Sequence, residues 1–212
     1  MLPCEGANVI ALYAFATPNS VKVTIALEEL GVPYSLNAVD LRKGEQKSDW
    51  FKALNPNGKV PVIIDGVSER PLSLSESGAI LVYLAEKHNR LLPSGGEARA
   101  RVFEQLHFHA SGLGAAFGNA FASRKAMPEV AEKAVAEAQR TLAVLDGILV
   151  SREYVSGDEV TIADIAHFGW IWRHSAVGVD LDAVPHVSRW MDALHAREAF
   201  ARGIARTTAL MS

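Results

Sequence analysis

The spacing of apolar positions changes near residue 91. Ahead of that point, short runs rich in valine and isoleucine alternate with helical segments; beyond it only the helical period persists. The change falls on Leu91-Leu92-Pro93-Ser94-Gly95-Gly96-Glu97, whose proline, serine and glycines read as a linker. The pattern therefore predicts two domains, a mixed α/β unit over 1–91 and an all-helical unit over 97–212.

In the first unit, Val9 to Phe15 is a short strand ended by the turn Thr17-Pro18-Asn19-Ser20. Asn19 and Ser20 are both good N-cap residues. The helix that follows puts Val23, Leu27 and Leu30 on one face and stops at Gly31, with Pro33 just beyond. Tyr34, Leu36 and Ala38 alternate with polar neighbours, so a second strand follows, parallel to the first across the helix. The turn Asn55-Pro56-Asn57-Gly58 precedes Lys59 to Asp65, a strand in which Pro61 cannot donate to a ladder. Leu72 and Leu74 mark a fourth strand, and Ser75-Glu76-Ser77 can cap a helix carrying Ile80, Tyr83 and Leu84.

In the second unit, Glu97 to Ala122 is helical in composition yet crowded with Gly112, Gly114, Ala115, Ala116, Gly118 and Ala120. Glycine weakens a helix, so the crowding marks a place of close approach, either tight packing or room for a ligand. Pro128 opens a long helix with Ala138, Leu142, Leu145 and Leu149 facing the core. Thr161-Ile162-Ala163-Asp164 has the form of a capping box at the start of a helix reaching about Val177. Val187, Trp190, Met191 and Leu194 mark one more helix after Pro185.

Composition narrows the chemistry. The 212 residues are 49% hydrophobic and 21% charged, ordinary values for a folded domain, and the net charge of −3 supplies no field for a polyanion or an acidic membrane. Nucleic acid is not an expected partner. The single cysteine, Cys4, excludes an internal disulfide framework and a CxxC pair. With no basic, apolar leader at the amino terminus, the reading is a cytoplasmic protein. The longest uncharged run, Gln105 to Ser123, is too polar to cross about 30 Å of hydrocarbon. His107 and His109 point away from one another on a helix, and no carboxylate or cysteine completes a shell around His167 and His174, so no metal is expected. Trp170 and Trp172 lack the basic surround of a nucleic-acid stacking platform.

Thr17-Pro18-Asn19 entering a helix that ends Leu27-Glu28-Glu29-Leu30-Gly31, then Asn55-Pro56-Asn57-Gly58-Lys59-Val60-Pro61, Ser75-Glu76-Ser77-Gly78-Ala79-Ile80 and Thr161-Ile162-Ala163-Asp164 fall in the order and spacing of the glutathione transferase superfamily. The resemblance spans nearly the whole chain. Thr17-Pro18-Asn19, Lys43-Gly44-Glu45-Gln46 and Gly112-Leu113-Gly114 resemble the nu class, whose members bind glutathione and often reduce disulfides. Ser20 departs from that pattern, which has glycine there. The resemblance implies a thioredoxin-like amino-terminal domain, a helical carboxy-terminal domain and a homodimer.

It also assigns chemistry. Glutathione as co-substrate brings its own cysteine, and the protein must hold that thiol as thiolate, the nucleophilic form. The start of a helix offers unpaired N–H groups and side-chain donors for this, and Thr17 and Asn19 are the implied catalytic pair. By the same resemblance, Val60 before a cis-proline pairs with the cysteinyl backbone. Glu76 and Ser77 meet the γ-glutamyl end, and Gln46 and Lys59 meet the glycine carboxylate. Asn19 belongs to both sets. Lys133 lies near a basic position of the class but matches loosely. Read alone, Asn19 and Ser-Glu-Ser are only caps, and Gln46 and Lys59 are only surface residues. The function expected is attack of the glutathione thiolate on a disulfide or on a small hydrophobic electrophile. A noncatalytic interaction or dimerisation module on the same fold is the alternative.

Overall fold

The computed structural model describes residues 9–66 and 71–211; the expectations for Cys4 and the amino-terminal segment lie outside them. Strand β1 (Ile10–Ala14) buries Ile10, Leu12 and Ala14, the alternation expected of a strand covered on one face. Helix α1 (Pro18–Leu30) follows, and β2 (Tyr34–Ala38) returns parallel to β1 with Leu12 opposite Leu36. A short 3₁₀ turn (Glu45–Lys47) and helix α2 (Asp49–Leu54) connect to β3 (Val62–Asp65) and β4 (Leu72–Ser75), each antiparallel to its neighbour. The sheet order is β2-β1-β3-β4, and α3 (Ser77–His88) packs beside α1 on it. This four-stranded mixed sheet with its helices is the thioredoxin-like architecture that the sequence implied.

The remaining described chain is helical: α4 (Gly96–Phe108), α5 (Gly114–Ser123), α6 (Pro128–Leu149), α7 (Ile162–Ile171), α8 (His174–Val177), α9 (Pro185–His195) and α10 (Glu198–Thr208). The apolar stripe expected on α6 is buried at Ala138, Leu142, Leu145 and Leu149. No helix among the described residues is long and apolar enough to cross a membrane.

Several details differ from the sequence reading. Thr17, rather than Asn19 or Ser20, is the N-cap of α1, because Pro18 takes the first helical position and the Thr17 hydroxyl accepts from the Ser20 N–H. The expected helix over Glu97 to Ala122 is interrupted by a π-helical turn, His109–Leu113. The helix expected to reach Val177 stops at Ile171 and restarts as α8. Helices α2 and α10 were not anticipated, although α10 does much to position α1.

Helix α1 is buried almost all round from Ser20 to Leu27, so it is the shared element of both domains. Thr24 Oγ1 donates to the Gly203 carbonyl at 3.0 Å and lies 2.7 Å from Thr207 Oγ1. A Cβ on Gly203 would come within 2.8 Å of Ile25, which explains why α10 carries glycine there. Arg197 grips Glu29 with two hydrogen bonds, at 2.7 and 2.9 Å, and Arg202 donates to Glu28 at 2.8 Å. At its carboxyl end α1 closes on Gly31 in the left-handed conformation. Its amino end is thereby fixed at the junction of sheet and helical domain.

Candidate functional site

The amino end of α1 faces a cavity of about 630 Å³ between the two domains. One wall is Asn19, Lys59, Glu76 and Ser77 from the sheet domain; the other includes Phe103, His107 and Trp170 from α4 and α7. One side is thus rich in hydrogen-bonding groups and the other in rings, the division expected where a peptide meets a less polar second reactant. A smaller cleft continues from Asn19 past Asn55, Val60 and Pro61.

The turn beneath that cleft is built by Asn55. Its Nδ2 donates to the Lys59 carbonyl at 2.7 Å, and its Oδ1 accepts from the Asn57 N–H at 3.0 Å. The Val60–Pro61 peptide that follows is cis, as the resemblance implied. Gly58 has φ +64°, and a Cβ there would lie 2.9 Å from the Gln46 carbonyl oxygen. The 3₁₀ turn carrying Gln46 therefore packs directly on the turn carrying Lys59. Gln46 Oε1 is buried without a hydrogen-bond partner among the described residues. Across the cleft Glu76 has φ +67° and ψ +113° with no capping hydrogen bond from its side chain, a strained conformation for a residue with a Cβ. Ser77 opens α3 beside it.

The site residues expected from the sequence are therefore distributed unevenly. Asn19, Lys59, Val60, Glu76 and Ser77 border one continuous hollow, and Gln46 adjoins it through Gly58. Thr17 does not line the hollow: its hydroxyl donates to Ser20 Oγ at 3.0 Å and accepts from the Ser20 N–H at 3.1 Å. The Ser20 side chain thus takes the proton of the Thr17 hydroxyl, a bond that glycine could not make, while the backbone N–H bond to Thr17 is independent of the side chain. Lys133 is exposed on α6 and does not line the cavity.

Lys22, which no sequence motif marks, and His109, considered from the sequence only as a metal ligand, lie at the cavity floor. Lys22 is buried, 3% exposed, and its Nζ donates to Asn19 Oδ1 at 2.8 Å. The same Nζ lies 2.8 Å from His109 Nε2 in the π-helical turn. Burial brings the Lys22 ammonium down to about 7, partly opposed by the negative charge of Glu76. Burial and the Lys22 charge hold His109 well below the usual imidazole range, and His167, edge-on to His109 at 5.1 Å, falls to about 3 for the same reasons. Both rings are neutral at pH 7. A Cβ on Gly114 would sit 2.8 Å from His109 Nε2, and one on Gly169 would collide with Lys22 Cγ. The crowding of small residues near position 114 therefore makes room for a buried imidazole as well as bordering the cavity. The available signal for Lys22 was its place three residues after Asn19, on the same helical face, within an otherwise apolar run.

Among the described residues no group of three or more histidine, cysteine, aspartate or glutamate side chains is placed to hold a metal ion.

Comparison with known proteins agrees with this geometry. The glutathione S-transferase N-terminal domain family matches residues 16–87, and the C-terminal domain family matches residues 109–198. The disulfide-bond oxidoreductase YfcG of Escherichia coli is 36% identical over 198 residues, covering 90% of this chain and 92% of its own. A glutathione transferase family member from Pseudomonas fluorescens, solved with two glutathione molecules bound, superposes with a TM-score of 0.88 at 38% identity, covering 95% of each chain. A glutathione transferase from Pseudomonas putida, solved with one glutathione disulfide per subunit, gives 0.86 at 34% identity, covering 95% of this chain and 93% of that one. A sheet domain with a cis-proline turn, a helical domain closing over the start of α1, and likeness along nearly the full length of both chains have one reading: this chain belongs to the glutathione transferase superfamily.

Proposed function

We propose that the protein is a glutathione-dependent enzyme in which Asn19 holds the thiolate of the co-substrate for attack on a disulfide, with transfer to an electrophilic carbon as a secondary activity. The carrying observation is the state of the Asn19 amide. Its Oδ1 is taken by Lys22, whereas its Nδ2 makes no hydrogen bond among the described residues and belongs to a side chain bordering the cavity. An amide N–H there, with the positive end of a 13-residue helix behind it, favours an anion over a neutral thiol. Lowering a thiol pKa by about two units corresponds to roughly 2.7 kcal/mol, within reach of one or two such donors and a helix terminus.

The other assignments follow the hollow. Val60 offers its backbone beside the cis peptide to the cysteinyl unit. Glu76 pairs with the γ-glutamyl ammonium, and the N–H groups opening α3 at Ser77 take its carboxylate. Lys59 meets the glycine carboxylate, with Gln46 beside it. Thr17 supports the turn rather than donating directly. In disulfide exchange the thiolate attacks one sulfur, the S–S bond breaks and a thiolate leaves. A second glutathione resolves the mixed disulfide, so two glutathione molecules become one glutathione disulfide while the substrate gains two thiols. The wall bearing Phe103, His107 and Trp170 leaves space for the disulfide partner or electrophile. The name of the Escherichia coli relative and the ligands of the two Pseudomonas structures support disulfide exchange over aryl transfer. We further propose the domain division at 91–97, a cytoplasmic location and a homodimer; exposed Trp50 and Leu72 beside the sheet are apolar surface suited to a second copy.

The test is a pair of initial-rate assays on one preparation, glutathione with hydroxyethyl disulfide and glutathione with an aryl halide, beside a thermal shift with glutathione. Faster disulfide reduction, with a shift equivalent to roughly 2.7 kcal/mol at 100 times Kd, is expected. Aryl transfer outpacing disulfide reduction makes it a conventional transferase; silence in all three leaves a noncatalytic module.

A further inference from the structure

A lysine, a histidine pair and an asparagine amide form a continuous chain from the cavity surface into the protein interior. Lys22 Nζ lies 2.8 Å from Asn19 Oδ1 on one side and 2.8 Å from His109 Nε2 on the other. It is buried, as are His109 and His167, so water does not supply alternative partners cheaply. The packing is tailored to the arrangement: Gly169 of α7 leaves space for the Lys22 stem and Gly114 for the His109 ring, and the π-helical turn begins at His109.

We propose that Lys22 is a positioning residue that sets the ionisation of the bound glutathione thiol by acting through Asn19. An amide has one acceptor and one donor end. With the ammonium fixed on Oδ1, the Nδ2 donors are turned away from Lys22 and cannot be replaced at the cavity by the carbonyl oxygen, which would repel a thiolate. The ammonium also polarises the amide, strengthening the N–H donors, and its buried positive charge favours a nearby anion. His109, held neutral, is the acceptor that keeps the ammonium in place, which a second cation could not do.

Among the described residues, few charged and titratable groups face Lys22. The π-helical turn supplies His109, α7 supplies His167 behind it, and the start of α3 supplies Glu76, whose negative charge favours the ammonium. Arg197, just before α10, and Arg202 and Arg206 on it turn to Glu29 and Glu28 at the other end of α1. Burial has brought Lys22 down to about 7, so the ammonium is finely balanced in the free protein, and a bound thiolate shifts the balance towards it.

This inference rests on the reading that Asn19 meets the glutathione thiolate, and the experiment separates the two. The thiolate absorbance of bound glutathione is titrated against pH in the wild type, Lys22→Met and Lys22→Gln. Methionine keeps the stem and removes the buried charge, so it is expected to fold; glutamine keeps a neutral donor and serves if methionine does not. The expected result is glutathione affinity within about threefold of wild type, with the bound thiol pKa raised by about one unit in Lys22→Met and less in Lys22→Gln. The rising limb of the pH profile of kcat should move by the same amount. A bound thiol pKa unchanged in both variants, with glutathione still binding, overturns the role of Lys22 alone. A wild-type protein that binds glutathione without lowering its thiol pKa, or does not bind it, overturns the reading beneath it.

Discussion

Two helices of this protein begin almost identically and serve different ends. Helix α1 starts at Thr17 with φ −124° and ψ 155°, and α7 starts at Thr161 with φ −127° and ψ 173°; in each the threonine hydroxyl accepts a backbone N–H of the first turn. At α7 the third helical residue is Asp164, which closes a full capping box. Its two oxygens accept from the Thr161 N–H and hydroxyl, the Val155 N–H and Trp190 Nε1, all between 2.8 and 3.0 Å. At α1 the third residue is Ser20, no carboxylate closes the turn, and the second residue, Asn19, borders a cavity. The first cap is saturated and buried, so it can only hold the fold. The second keeps donors in reserve, and a lysine beneath it is supported by neutral imidazole rather than by a carboxylate. A buried charge with all its partners is architecture; one left short of partners beside a cavity is available to a ligand.

The largest effect is expected at the closed cap. Asp164→Ala strands four donors in the core and should cost about 4 kcal/mol, lowering Tm by roughly 8–16 °C in a chain of this size. Thermal denaturation of the purified variant measures it, and glutathione turnover of the fraction still folded should remain near wild type. At the open cap the pattern reverses. Asn19→Ala should reduce kcat/KM for disulfide exchange by about 100-fold, roughly 2.7 kcal/mol, with only a small change in Tm, as initial rates and a melting curve on one sample will show. Full turnover in that variant would remove Asn19 from the chemistry.

A pH-dependent effect follows from the sign of the Lys22 shift. Its folded pKa, about 7, lies below the unfolded value of 10.5, so between these pH values the unfolded chain binds more protons and stability rises with pH. The melting temperature of Lys22→Met should therefore exceed that of wild type most at pH 7 and below, with the gap narrowing towards pH 10; a constant gap would place the Lys22 proton elsewhere. The smallest effect is Thr17→Val. Loss of the cap should cost about 1 kcal/mol in chemical denaturation, and disulfide exchange should fall less than about fivefold, because the Thr17 hydroxyl is committed to Ser20.

Local signals in the sequence carried most of the fold. Pro18 and Gly31 bracket α1, Thr161 and Asp164 announce α7, and the apolar stripe of α6 lands in the core because each of these features depends on residues a few positions apart. The parallel pairing of β1 and β2 follows from the helix between them. What was missed depends on distant partners. Helix α10 is strongly amphipathic but short, and its importance comes from Gly203 meeting Ile25 and Arg197 meeting Glu29, contacts between residues far apart in sequence. The π-helical turn at His109 has no period of its own, and the imidazole beside it, lodged against Gly114, finds its place only once the chain has folded. The site divides in the same way. Asn19, Lys59, Val60, Glu76 and Ser77 sit in short motifs that a family resemblance carries, whereas Lys22 becomes conspicuous only when α7 and the His109 turn enclose it. The departure at Ser20, minor as a sequence difference, acquires a consequence when its hydroxyl is seen to engage Thr17.

On the proposed function the open cap of α1 makes a thiolate of bound glutathione, which a pH titration of thiolate absorbance for glutathione bound to wild type and to Asn19→Ala reads out. A bound thiol ionising about two units below free glutathione in the wild type, and returning most of the way in Asn19→Ala, is the expected result. A bound thiol that ionises like free glutathione in the wild type, or one lowered equally in both proteins, would contradict it.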